Sequence, residues 1–225
     1  YRNKLEFSFS DKAWLAKEQL EDKGIDQRVL GYHVPRFFDK VVQIEKCLLQ
    51  KPIVNDIRNE ILAFGRAQNY TFHNMRSHEG FLRNLCFRTS DHTGEIMVNL
   101  IVNKDDPDKI DAIFGHLEAK FPQITDFIWV VNEKLNNSYT DLPFKVWKGK
   151  SYITERLGEY DFRISPVSFF QTNPQQADRL YQLVKDYLAA SLPEGQAKHP
   201  VVYDLYSGTG SIGIFVSELA EKIVG

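Results

Sequence analysis

Apolar and polar residues alternate at the start of the chain, with Leu5, Phe7 and Phe9 set between Glu6, Ser8 and Ser10. A period of two predicts a strand buried on one face. Residues 11–24 are charged, with Trp14, Leu15 and Leu20 as apolar members, and predict a short helix or an excursion. Gly31 to Val42 predicts a second strand or a hairpin, ending in Val41, Val42 and Ile44. Pro52 then opens a helix whose Ile53, Ile57, Ile61 and Phe64 share one face, with its end near Gly65. Leu82 to Thr89 and Glu95 to Val102 read as strands joined by a hairpin loop over residues 90–94. Asp106 and Pro107 supply an N-cap and a first helical residue. The helix they open carries Ile110, Ile113, Phe114, Leu117 and Phe121 on its apolar face, and Pro122 stops it. Phe127 to Val131 is another strand, and residues 145–167 read as short strands around Gly149 and Gly158. Asn173, Pro174 and Gln176 form a further cap, before a helix with Ala177, Leu180, Tyr181, Val184, Tyr187 and Leu188 at helical spacing.

The last stretch changes character. Val201 to Asp204 is a short apolar run ending in a carboxylate, Gly208 and Gly210 form Gly-x-Gly, and an amphipathic run from Ile212 to Leu219 follows. The order predicts strand, tight turn, helix. Glycines leave no Cβ in the turn, so the main chain can approach a ligand closely. The first N–H groups of the new helix favour an anionic group in the same space. Asp204 can accept hydrogen bonds from a cationic or hydroxylated ligand. With Gly213 the spacing is G-x-G-x-x-G by count, so a dinucleotide-binding turn is weighed as well. Asp204 and the polar Ser207 before the first glycine count against it. The pattern D-L-Y-S-G-T-G is similar to the first motif of S-adenosylmethionine-dependent methyltransferases.

The chain of 225 residues suffices for one large domain or two small ones. Two regions emerge: residues 1–159, mixing strands and helices, and residues 160–225, running into the glycine turn. The fold class expected is α/β, an α+β central domain followed by the start of a Rossmann-like cofactor domain. The formal net charge of −2 excludes a general basic field, so any RNA contact must be local. No apolar run is long enough to cross a bilayer, no signal peptide opens the chain, and two cysteines without C-x-x-C spacing fit a reducing cytoplasm. The chain also reads as cut at both ends, since a second parallel strand is starting at Ile223.

Ser165-Pro166-x-Ser168-Phe169-Phe170-Gln171-x-Asn173, followed by Asp204-Leu205-Tyr206-Ser207-Gly208-x-Gly210, closely resembles the RNA uracil-5 methyltransferases. Tyr1-Arg2-Asn3-Lys4-Leu5-Glu6-Phe7-Ser8-Phe9 looks like the start of that family's central domain, and Ile44-Glu45-Lys46-Cys47-Leu48 is similar to a third landmark. The resemblance implies methyl transfer from S-adenosylmethionine to carbon 5 of a uridine in ribosomal or transfer RNA. It implies a cysteine thiolate adding to carbon 6, a general base removing the carbon-5 proton, and extrusion of a stacked uridine. By the same resemblance Gln171, Tyr206 and Ser211 match cofactor-contacting positions, and Asp204, Gly208 and Gly210 belong to the cofactor loop. The nucleophile and the base of the family lie beyond Gly225, so this stretch is expected to be inactive by itself. Cys47 matches the fourth ligand of a four-iron, four-sulfur cluster carried by many members, its other three ligands lying before Tyr1. The bland alternative for Cys47 is a buried small thiol, and Cys86 between Leu85 and Phe87 reads as core.

Arg2 and Lys4, then Arg36 and Lys40 around Phe37 and Phe38, mix basic and aromatic side chains suited to structured RNA. The competing reading is a solvated face with core phenylalanines. His33, His73, His78 and His92 lack metal-ligand spacing and are read as surface or structural. No protein partner is expected. A dehydrogenase of Rossmann type and a non-catalytic RNA-binding module are the alternative functions.

Overall fold

The computed structural model describes residues 1–225 except Leu20 and Lys23. Seven strands form its main sheet: β1 (Lys4–Ser10), β2 (Val29–Val34), β3 (Phe37–Gln43), β4 (Leu82–Thr89), β5 (Ile96–Val102), β6 (Asp126–Val131) and β7 (Phe144–Lys148). Their spatial order is β3-β2-β1-β4-β5-β6-β7, antiparallel throughout except for the parallel β5–β6 pair. That pair is joined through α2 (Pro107–Lys120), as a parallel connection requires. The Asp106 carboxylate caps α2 by accepting from the Lys109 N–H at 3.2 Å.

One face of the sheet is apolar. Leu5, Phe7 and Phe9 of β1 join Leu85 and Phe87 of β4 and Val98 and Leu100 of β5. Against them lie α2 and α1 (Pro52–Ala67), through Val54, Ile57, Ile61, Ile113, Phe114 and Leu117. Helix α1 ends at Ala67, near Gly65 as expected, and that glycine also serves packing. A Cβ there would lie 3.0 Å from Leu82 and 3.2 Å from Phe72.

The opposite face follows from the period of two; it is mainly polar on β1 and β4, with Glu6, Ser8, Asn84, Cys86 and Arg88, and mixed on β5, with Met97, Asn99 and Ile101. Tyr139 covers its centre, packing with Cys86, Ile101 and Val130, and its hydroxyl donates to Glu6 Oε2 at 3.1 Å. Burial pushes the Glu6 carboxyl above the usual glutamate range, against the opposing pull of the Tyr139 hydroxyl and Lys4.

The described residues between β1 and β2 form an excursion with a 3-10 turn at Lys17–Gln19, and Trp14 rests on Phe37, ring centroids 4.8 Å apart. Leu20, expected among its apolar members, lies outside the described residues.

After β7 the chain turns at Gly149 (φ 104°), where Asp126 Oδ1 accepts from the N–H groups of Lys150 at 2.6 Å and Ser151 at 3.0 Å. A hairpin follows, β8 (Ile153–Leu157) with β9 (Tyr160–Ile164), then α3 (Pro174–Ala190), capped by Asn173 accepting from the Gln176 N–H. A parallel pair, β10 (Val202–Tyr203) and β11 (Ile223–Val224), encloses α4 (Ser211–Phe215). The amphipathic run expected over Ile212 to Leu219 is thus one short helix and a 3-10 turn at Ser217–Leu219. Residues 153–216 share a second core with Met97 and Ile128 from the polar face of the sheet. The expected division at residues 159 and 160 falls in the β8–β9 turn, and both strands belong to this second core. On α3 only Pro174, Ala177 and Tyr181 are buried, while Leu180, Leu183 and Tyr187 stand in solvent.

Glu6→Gln tests the polar face. A carboxyl whose folded pKa is raised contributes stability fully below its unfolded pKa, about 4.3, and loses that contribution as pH rises through the folded value. The variant's stability relative to the native chain therefore increases between pH 4 and pH 7.5, read from urea midpoints; a pH-independent difference would contradict it. Gly149→Ala is expected to cost about 2 kcal/mol or more, since a Cβ there meets Asp126 Oδ1 and Thr125 O at 2.5 Å.

Candidate cofactor site

The glycine turn owes its shape to left-handed backbone. Tyr206 (φ 64°), Gly208 (φ 57°) and Gly210 (φ 70°) all have positive φ. The glycines take it without strain, whereas Tyr206 is a non-glycine residue forced there. A Cβ on Gly208 would find no atom nearer than Tyr206 O at 3.9 Å, and one on Gly210 nothing within 4 Å. The backbone conformation selects glycine at these points, and the space above them stays clear.

That space is a cleft of about 460 Å³, bordered by Asp204, Ser207 to Gly210, Gly213 and Ile214. Asp204 ends the β10 side and donates its N–H to Val224 O at 2.8 Å. Its Oδ2 accepts from the Gly213 N–H at 3.0 Å, tying the strand to the first turn of α4. One carboxylate oxygen is therefore engaged internally. Gly213 is the contact point of helix and strand, where a Cβ would lie 3.1 Å from Ile223 and 3.2 Å from Asp204 Oδ2. An open glycine floor with a carboxylate at its rim suits a ligand that carries hydroxyl groups.

Of the residues singled out in the sequence, Asp204, Gly208 and Gly210 border the cleft. Tyr206 is fully exposed and lies outside its border. Ser211 is buried and turned toward α3, its Oγ 2.9 Å from the Tyr181 hydroxyl. Gln171 is half-buried in the segment before α3 and does not border the cleft. Its neighbours part ways: Phe170 is buried against Phe162, and Phe169 is 71% exposed. Sequence reasoning passed over Tyr181 as a core position; nothing in the helical period singles out its hydroxyl. It also passed over Ser217, which joins the cleft from the 3-10 turn.

Cys47 is buried beneath α1, with Sγ 3.7 Å from the Tyr32 hydroxyl. The Asn55 amide brackets its main chain, accepting from Cys47 N at 2.8 Å and donating to Cys47 O at 3.2 Å. Among the described residues no group of three or more His, Cys, Asp or Glu could hold a metal. Cys86 is fully buried, and burial pushes its thiol above the ordinary range. His73 is buried as well, its pKa lowered to about 4 by burial and by Arg83, His78 and His33.

The basic residues divide into two groups. Arg2 is exposed ahead of β1, and Lys4 pairs across the sheet with Arg88. Arg36 (φ 72°) forms the β2–β3 turn and Lys40 lies along β3. Phe37 and Phe38 beside them are exposed, so they are not core, and Arg76 lies 5.5 Å over the Phe38 ring. Among the described residues no helix is long and apolar enough to cross a membrane.

No protein-family model matches the chain. Over its whole length it is 40% identical to an uncharacterized RNA methyltransferase of Bacteroides thetaiotaomicron and 36% identical to one of Porphyromonas gingivalis, covering 49% and 48% of them. The chain thus spans about half the length of the curated relatives it matches. Among solved structures it resembles the tRNA (uracil-54, C5)-methyltransferase of Pyrococcus abyssi in complex with S-adenosyl-L-homocysteine. The TM-score is 0.69 at 26% identity, over 96% of this chain and 46% of that one. Motifs, fold and whole-length similarity agree: the chain is similar over its whole length to RNA methyltransferases.

Proposed function

We propose that the protein carrying this chain methylates carbon 5 of a uridine in ribosomal or transfer RNA, and that the cleft over Gly208 and Gly210 receives S-adenosylmethionine. The observation that carries this reading is the cleft itself, floored by two left-handed glycines beside Asp204. A solved relative crystallised with S-adenosyl-L-homocysteine supports it. The cofactor supplies an electrophilic methyl group. This chain supplies its seat, the glycine floor for close approach and the second oxygen of Asp204 toward a ligand hydroxyl, while Gln171, outside the border of the cleft, is assigned to the cofactor through the family resemblance. Tyr206 and Ser211 then contribute through the main chain of the turn, since the Ser211 hydroxyl is engaged by Tyr181.

Neither Cys47 nor Cys86 borders the cleft, so in this reading the nucleophile and the base are provided by residues outside this chain. Residues up to Lys148 form the central domain and the cofactor domain begins at β8, because both strands of that hairpin pack with α3. Structured RNA is the partner, with Arg2, Lys4, Arg36 and Lys40 as phosphate contacts, and the setting is cytoplasmic. Cys47 is the cluster ligand if the complete protein holds four-iron, four-sulfur.

Calorimetry on the complete protein tests the cofactor. S-adenosylhomocysteine is expected to bind and NADH is not; the reverse would favour a dinucleotide enzyme. Gly208→Val, placing a branched side chain at positive φ in the floor, is expected to weaken binding more than about a hundredfold, ~2.7 kcal/mol. Gln171→Ala is expected to weaken it about tenfold with an unchanged melting temperature. A fall in melting temperature with unaltered affinity would make Gln171 structural.

A further inference from the structure

Arg88 lies in β4 on the polar face and is 3% exposed. A guanidinium taken from water needs polar partners. Among the described residues it has no carboxylate partner. Nε and Nη2 each donate to Pro166 O at 3.3 Å, and Nη2 also donates to Ser168 O. Burial lowers its pKa, yet an arginine keeps its proton in a protein. A cation inside the molecule is thus spent on two carbonyls of one irregular segment. That segment is closed on itself by Ser165 and Ser168, whose hydroxyls are 2.7 Å apart.

The gripped residues stand directly before Phe169, Phe170 and Gln171. On the other side of Gln171, Thr172 O accepts from the Asn3 N–H at 2.7 Å. Asn3 and Arg88 belong to one corner of the sheet: Lys4 pairs with Arg88, and the Thr89 N–H donates to Asn3 O at 2.8 Å. Both flanks of Gln171 are therefore fixed by the ends of β1 and β4. Helix α3 carries the constraint onward, since the Tyr181 hydroxyl meets Ser211 Oγ where α4 begins.

We propose that Arg88 is a positioning residue of the cofactor site: by holding the Pro166 and Ser168 carbonyls it sets where Gln171, outside the border of the cleft over Gly208 and Gly210, stands relative to a bound cofactor. The proposal rests on the S-adenosylmethionine reading above. A planar fork fixes two carbonyls at a set angle, whereas a lysine ammonium reaches them as a single point charge.

A double-mutant cycle in the complete protein tests it, with S-adenosylhomocysteine affinity by calorimetry, melting temperature and RNA affinity as readouts. Arg88→Met is expected to raise the S-adenosylhomocysteine Kd about tenfold, and Gln171→Ala to add less than about twofold in that background. Arg88→Lys is expected to recover part of the loss, with RNA affinity within about twofold of native. Full additivity of the two substitutions, or a lower melting temperature with unchanged cofactor affinity, would overturn the positioning role. Where Arg88→Met does not fold, the same cycle with Arg88→Lys decides. If the native protein binds no S-adenosylhomocysteine, the functional reading falls, and the Arg88 proposal with it. Native binding without coupling removes the Arg88 proposal alone.

Discussion

A charged side chain that leaves water must find polar partners, and where the sheet meets residues 150–168 those partners are main-chain groups. Glu155, 1% exposed, accepts from the N–H groups of Asp91 and His92 in the β4–β5 loop. Asp126 accepts from those of Lys150 and Ser151. Arg88 supplies the opposite sign to the Pro166 and Ser168 carbonyls. Main-chain groups cannot be moved without moving the chain, so such contacts fix geometry more tightly than pairs of flexible side chains. Losing one partner would strand a buried charge, which is far costlier than the net value of the bond. The joint therefore has one good arrangement. The apolar contacts of Met97 and Ile128 with the second core fill it.

The fold was largely legible wherever a period or a cap is local. Strand β1, the β4–β5 hairpin and helices α1 and α2 follow from alternation, helical spacing and Asp106-Pro107. Reading failed where a residue's role depends on a distant neighbour. Gly65 marks the end of α1 to within two residues, but its contacts with Leu82 and Phe72 carry no local signal. Leu180 and Tyr187 fit the helical stripe of α3, yet no described element covers them. Two adjacent phenylalanines carry identical local signals, and only the packing around Phe162 decides which is buried.

At the cofactor site, the glycine spacing announced the turn and Asp204 its rim, because both are set by main-chain geometry close in sequence. The engagement of Asp204 with Gly213 follows from the same nearness, nine residues apart across one strand and one helical turn. The Tyr181–Ser211 bond spans thirty residues and the Arg88–Pro166 bond seventy-eight, and no local pattern encodes either.

The outer side of α3 bears on behaviour in solution. Leu180, Leu183 and Tyr187 on that helix, with Tyr203 and Leu205 at β10, present greasy surface to water. The outermost strands of the main sheet carry charges that discourage strand-to-strand stacking, Lys40, Lys145 and Lys148, beside exposed Phe37, Phe38 and Val146. Crowded copies of this polypeptide would consequently adhere through the helix rather than grow as ribbons.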